Sequence, residues 1–189
     1  MGAIFLSASI PMIGRGHYYE SADPFLIQCA VRELAIATVR RYKIVWGGHP
    51  AITPMIWNIC EDLGADYADS VSLYQSRFFE GRYPEENQRF DNVVYTDSIP
   101  GDVKASLKLM REQMLSREDL IGAVFIGGMD GVEAEYEIFR RFNPDAFVLP
   151  VAAPGGAALD LARDSGDFTE DELENIDFAT LYSLYLPTQ

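Results

Sequence analysis

A chain of 189 residues is long enough to bury a core and reads as one domain. Its net charge of −14, from 29 acids against 15 bases, excludes a binder of nucleic-acid backbones, because that affinity rests on clustered Lys and Arg. No basic segment precedes a long apolar run and no stretch approaches ~20 apolar residues, so neither a secretion signal nor a membrane span is expected, and the cytoplasm is the expected location. The acidity is uneven: Asp164, Asp167, Glu170, Asp171, Glu172, Glu174 and Asp177 follow one another with no base among them.

In chain order, Ala3–Ser9 reads as an apolar strand that ends in small hydroxyl residues, followed by a loop over Ile10–Pro24. A helix is expected from Pro24 to Arg41, capped by Asp23 or Ser21, with Pro24 in its first turn. Tyr42–Trp46 is the second strand. Thr53–Leu63 is a helix with Thr53 as its cap and Pro54 at its first position. Ser70–Tyr74 alternates as a third strand, and Gln75–Asp91 is a polar, irregular segment carrying Arg77, Arg82 and Arg89. Strand Asn92–Thr96, helix Val103–Leu115, strand Ile121–Ile126, helix Val132–Phe142, strand Ala146–Val151 and helix Ala157–Ala162 follow. Asp171–Leu186 reads as one last helix in an acidic C-terminal extension over residues 165–189. Cys29 and Cys60 fall inside helices without C-x-x-C spacing and read as buried free thiols. Strands alternating with helices mean an α/β fold, with a mostly parallel sheet covered by helices on both faces.

Two glycine pairs sit where such a sheet binds ligands, at the carboxyl ends of strands. The first follows Ile44-Val45-Trp46 as Gly47-Gly48-His49-Pro50-Ala51-Ile52-Thr53-Pro54, and the second follows Ala123-Val124-Phe125-Ile126 as Gly127-Gly128-Met129-Asp130-Gly131-Val132-Glu133-Ala134-Glu135. Glycine lets the backbone approach a ligand, and the helix that follows aims its unpaired N–H groups and positive dipole end at the same spot. Two such turns in one sheet point to a phosphate-bearing ligand such as a free nucleotide, for which a few local donors suffice.

The second turn resembles the PGGxGTxxE motif of the Lonely Guy phosphoribohydrolases and of the wider SLOG superfamily, and Gly47 and Gly48 resemble the start of its GGGxxGLMG motif. The resemblance covers most of residues 3–160 and implies a Rossmann-like, doubly wound fold. It places Arg111, on the helix feeding the second glycine turn, at the position of the family's active-site arginine, and Glu135 at the motif glutamate. In that family the two flank the N-glycosidic bond of a nucleoside 5′-monophosphate. A carboxylate would stabilise an oxocarbenium-like sugar or activate water, and an arginine would hold anionic groups. Each also has a plain reading, Glu135 as a first-turn carboxylate favoured by the helix dipole and Arg111 as a helix-surface residue. Ile126 stands for the motif proline, one residue is inserted before Gly131, Val132 stands for the threonine, and Pro50 and Pro54 remove two amide donors. These changes point to another nucleotide derivative, as in SLOG domains that sense nucleotide-derived signals in bacterial anti-phage systems.

The ligand-contacting set expected from the turns is Ser7, Ser9, Arg15, His17, Gly47, Gly48, His49, Thr53, Gly127, Gly128, Asp130 and Gly131, with Arg111 and Glu135 as the catalytic pair of an enzyme. Asp130 is placed to accept a ribose hydroxyl, and the Tyr18-Tyr19 pair to stack on a base. With two histidines and no spaced carboxylate partner, no metal site is expected, and no cofactor. Three readings stay open: a nucleotide-binding sensor, a nucleotide N-glycosidase, and a subunit with a vestigial pocket. The resemblance further implies a homo-oligomer, and a sensor without a fused effector needs a partner protein or assembly for its output.

Overall fold

The computed structural model describes residues 2–64 and 69–187. Its elements are β1 (Ala3–Ser9), α1 (Tyr18–Ser21), α2 (Pro24–Thr38), β2 (Lys43–Trp46), α3 (Thr53–Leu63), β3 (Val71–Ser76), β4 (Asn92–Thr96), α4 (Val103–Leu115), β5 (Leu120–Gly127), α5 (Asp130–Phe142), β6 (Phe147–Val151), α6 (Ala157–Ser165), α7 (Glu170–Leu173) and α8 (Phe178–Tyr185). The six strands form one sheet in the order β4-β3-β2-β1-β5-β6, and every neighbouring pair is parallel. The fold is α/β and Rossmann-like. The chain steps outward from β1 to β4, then returns to lay β5 on the other side of β1. That reversal opens a crevice beyond the carboxyl ends of β1 and β5.

Side-chain alternation along β1 decides what reaches each face. Ile4, Leu6 and Ala8 enter a core with α2, α3 and α8, whereas Ala3 and Phe5 enter a second core under α4, α5 and α6. Ser7 shares the parity of Ala3 and Phe5 and therefore emerges on the α4–α5 side, where Phe5 stacks on Phe139 at 6.0–6.1 Å from its aromatic neighbours Phe125 and Phe139. No helix among the described residues is long and apolar enough to cross a membrane.

Several boundaries differ from the sequence expectation. The loop over Ile10–Pro24 contains the short helix α1. Asp23 caps α2 through its bonds from the Phe25 and Leu26 amides, at 2.8 and 3.1 Å. That helix stops at Thr38, short of Arg41, because the amides of Arg41 and Tyr42 both turn back to the Thr38 carbonyl. Strand β3 extends through Gln75 and Ser76 and is buried along its whole length, since a strand covered on both faces has no exposed side to alternate with. The crossover that follows holds two 3-10 turns, Arg77–Phe79 and Glu85–Arg89. The last helix is two: Asp177 accepts from the Thr180 amide and starts α8 afresh after α7. Helix α8 then packs on α2, where the Tyr182 hydroxyl donates to the Ala30 carbonyl at 3.0 Å.

At the opposite end of the sheet, Arg117 grips Asp119 with two bonds of 2.8 and 2.6 Å, and the Asp119 carbonyl receives the Ala3 amide that starts β1. The hydrogen bonds from Arg117 hold the Asp119 carboxyl below its ordinary value of 3.8. A carboxyl so depressed stabilises the fold above its unfolded-state value, and the contribution is lost as pH falls through the folded-state value. Asp119→Asn should therefore lower stability at neutral pH by about 1 kcal/mol, solvent screening included. Urea unfolding of the two proteins should converge at low pH; a difference that persists unchanged at pH ~2 would contradict the assignment.

Candidate functional site

Three residues from distant parts of the chain meet beside the β1–β5 crevice. The Ser7 hydroxyl on β1 donates to Glu135 Oε2 at 2.5 Å, and Arg111 Nε on α4 donates to Glu135 Oε1 at 3.0 Å. Glu135 lies in the second turn of α5, past the first turn expected from the sequence because the helix already starts at Asp130, and both its oxygens are occupied. Ser7 is 1% exposed, and the Arg111 and Glu135 side chains are 18% and 15% exposed, so the pair is largely shielded from water. A charge this buried needs its partner, and each neutralises the other.

Arg111 meets Glu135 through Nε alone, so its two terminal nitrogens have no acceptor among the described residues. They lie over Gly131, where a Cβ would stand 2.9 Å from Arg111 Nη2. Glycine in the first turn of α5 thus makes room for the guanidinium, and no side chain caps that helix end. The result is an arginine edge and a positive helix end facing one place.

The second glycine turn serves first to bring backbones together. Gly127 and Gly128 adopt φ of 61° and 83°. The Gly128 amide donates to the Ser9 carbonyl at 2.8 Å, and the Gly128 carbonyl accepts from the Ala157 amide at 3.0 Å. A Cβ on Gly156 would lie 2.8 Å from Gly127 and Gly128 backbone atoms. Ser9 therefore enters through its carbonyl.

At the end of β2, the Gly47 carbonyl accepts from Gln75 Nε2 at 3.1 Å, and Gly48, at φ 74°, leaves no room for a Cβ against the same amide. Thr53 opens α3 but does not cap it. Its hydroxyl accepts the His49 amide at 3.1 Å, while the His49 carbonyl accepts the amides of Ile52 and Thr53. The His49 ring accepts the Ala51 amide through Nδ1, and burial pushes its pKa down, so the ring is neutral at pH 7.

A third group comes from the chain after β1. Arg15 lies 3.6 Å from Asp130, and His17 Nε2 is 2.9 Å from Asp160 Oδ2. The Tyr18 hydroxyl donates to Glu133 at 2.8 Å, and burial, reinforced by Glu133, raises its pKa to about 12. Tyr18 is thus a buried anchor and not a stacking platform; Tyr19 alone of that pair is exposed. Glu133 stands out in the sequence as an i,i+4 like-charge partner of Glu137, which hints at a functional face. Gln75 and Asp160 are not expected from the sequence, since Gln75 falls in an apparent loop and no local pattern marks Asp160.

The structure thus brings Ser7, Arg111, Gly131 and Glu135 into one cluster. Arg15, His17 and Asp130 stand over the starts of α5 and α6, and Gly47, Gly48, His49 and Thr53 form a separate turn at β2. Two clefts, of about 270 and 370 Å³, lie elsewhere, one beside Ala152, Arg163 and Glu174 and the other beside Ile121, Phe142 and Asn143. Neither touches the cluster, and the shielded Arg111–Glu135 pair is a better guide to chemistry than these open hollows.

The model of the family described as the SLOG cluster3 family matches residues 17–186. No curated protein matches the sequence. Among solved structures, the chain is similar to TM1055, a structural genomics target solved by X-ray crystallography, with 13% identity and a TM-score of 0.54 over 98% of this chain and 100% of that one. At that identity the likeness concerns the fold alone.

Breaking the shielded pair should cost stability on either side. Arg111→Met and Glu135→Leu should each destabilise by about 2–4 kcal/mol because each strands a charge, whereas the double variant should recover much of the loss. Urea unfolding of the four proteins reads the coupling; additive losses would mean that the two side chains act separately.

Proposed function

The chain belongs to the SLOG cluster3 family, and from that premise we propose that it binds a nucleotide or nucleotide-derived signal at the β1–β5 crevice. The observation that carries this reading is the held arginine. Ser7 and Arg111 fix Glu135, Glu135 fixes Arg111, and the unpaired edge of the guanidinium is left over Gly131 at the start of α5. An arginine edge beside an uncapped helix end is suited to a phosphate, through charge, dipole and bidentate N–H donors together. Asp130 at the same helix end is suited to a ribose hydroxyl.

Binding is favoured over N-glycosidic hydrolysis by the state of Glu135. Both oxygens are engaged, so activating a water would require it to release Ser7 or Arg111 first. As a sensor the protein would act in the cytoplasm, in bacterial defence or stress signalling. It would pass its signal on through a homo-oligomer or an effector protein.

Incubating the protein with AMP, ATP, NAD, ADP-ribose and cyclic nucleotides, then separating the products and denaturing the protein, tests both readings. One intact nucleotide should be retained, and Arg111→Gln should weaken its binding by about tenfold or more. Free base released by wild type but not by Glu135→Gln would replace the sensor with an N-glycosidase. Retention of nothing, with no turnover, would leave the pocket vestigial.

A further inference from the structure

Between Ser9 and Tyr18 the chain crosses the mouth of the crevice, and its two ends are held very differently from its middle. At one end it leaves β1, whose register with β5 runs through Ser9 and Gly127. At the other, Tyr18 is buried with its hydroxyl on Glu133, the Ser21 hydroxyl accepts the Gly156 amide at 3.1 Å, and the Asp23 amide donates to Pro154. A Cβ on Gly155 would strike the Ser21 carbonyl at 1.9 Å, so the backbones are in contact there. The middle has no such support. Met12 and Ile13 are 52% and 76% exposed, and Gly14 and Gly16 take φ of 80° and 73°. Nothing lies within 4 Å of a Cβ on Gly14. Ile10 packs against the core and Pro11 is buried, so the exposed part is residues 12–17, whose side chains are tied down by Arg15 on Asp130 and His17 on Asp160.

Those contacts are exchangeable. Arg15 and Asp130 are both more than half exposed at 3.6 Å, a geometry that contributes little in water. Around them stand the carboxylates of Asp130, Glu133 and Asp160, all near the starts of α5 and α6. An anion that reaches the largely shielded Arg111–Glu135 pair must pass this acidic rim. Arg15 and His17 are the groups on the crossing segment that can offset it. We propose that residues 12–17 form a flap over the crevice, latched in the free protein by Arg15 on Asp130 and His17 on Asp160, and drawn onto an anionic ligand as both side chains turn from carboxylate to phosphate. Gly14 and Gly16 supply the backbone freedom and Tyr18 the fixed end. The closing step rests on the nucleotide reading above; the latch does not.

Trypsin reads the flap directly, because Arg15–Gly16 is a cleavable bond in its exposed middle. Without ligand, Asp130→Asn/Asp160→Asn should release the residue 1–15 fragment, followed by mass spectrometry, about fivefold faster than wild type. Glu137→Gln, which removes a charge from the exposed side of α5, should leave the rate unchanged. Saturating ATP or ADP-ribose, whichever is retained, should slow cleavage of the wild type by about fivefold. Equal ligand-free rates in wild type and double variant would overturn the latch. A retained nucleotide that gives no protection at Arg15 would overturn closure and leave nucleotide binding intact. If no nucleotide is retained, the nucleotide reading and the closure fall together, and the ligand-free rates still decide the latch.

Discussion

Gly128 ties three elements together through its own backbone. Its amide meets the Ser9 carbonyl at the end of β1, and its carbonyl meets the Ala157 amide at the start of α6, while its chain continues from β5 into α5. Only a residue without a side chain fits where Gly156 faces Gly127 and Gly128, since a Cβ would come within 2.8 Å of backbone atoms. The crossing ties the carboxyl ends of β1 and β5, already paired in the sheet, to the start of α6. It also settles which helix end stays open. The α6 end is closed by the Gly128 carbonyl and the Ser21 hydroxyl, whereas α5 has no side-chain cap. The anion-attracting end is therefore the one that carries Gly131 and lies under Arg111.

From that frame the buried pair follows. The crossing sets β1 against β5, and the two-residue alternation of β1 sends Ser7 to the same side as Phe5, toward α5. Helix α4 returns from β4 to β5 along this face and brings Arg111 to Glu135. The pair is largely shielded from water, at 18% and 15% exposure. Shielding strengthens the attraction between the two charges and equally penalises either one alone. A site built this way holds its arginine in place before any ligand arrives, so less ordering is left for binding to accomplish.

The apolar runs and the glycine turns made the parallel sheet legible, because a strand buried on both faces reads as continuous apolar sequence and a parallel partner requires a helical return. Arg111 and Glu135 were legible from the resemblance. Their direct pairing, with Ser7 added across 128 positions of sequence, was not, because nothing local records which distant side chain a carboxylate will meet. The same holds for Tyr18 on Glu133 and His17 on Asp160. Tyr18 looked like a stacking ring since an aromatic in a loop carries no mark of burial. Gln75 was hidden for a different reason. A polar residue ended an alternating pattern, yet it stays in β3 because the Gly47 carbonyl gives its amide a partner. The break between α7 and α8 was masked by apolar spacing that continues in phase across Asn175 and Asp177, although both side chains form local turn and cap bonds.

Val132 bears on which donors the second glycine turn can offer. It stands where the resembling motif has threonine, and the two side chains have nearly the same form. Val132 is buried, and a Cβ on Gly128 would strike it at 2.1 Å, so its methyl groups pack against the glycine turn. Val132 therefore packs as an apolar residue and offers the crevice no hydroxyl at the start of α5. At the separate β2 turn, Pro50 and Pro54 offer no amide. On the proposed nucleotide reading, an anionic ligand would then be held in part by groups brought to it. Arg15 and His17, standing on exposed carboxylates at the rim and joined to the fold by glycines, are side chains in position to move. On this argument the altered motif and the loosely held segment are two sides of one arrangement. On the proposed reading, recognition would pass from fixed backbone amides to side chains that move, which suits a protein that reports a ligand's presence by changing shape.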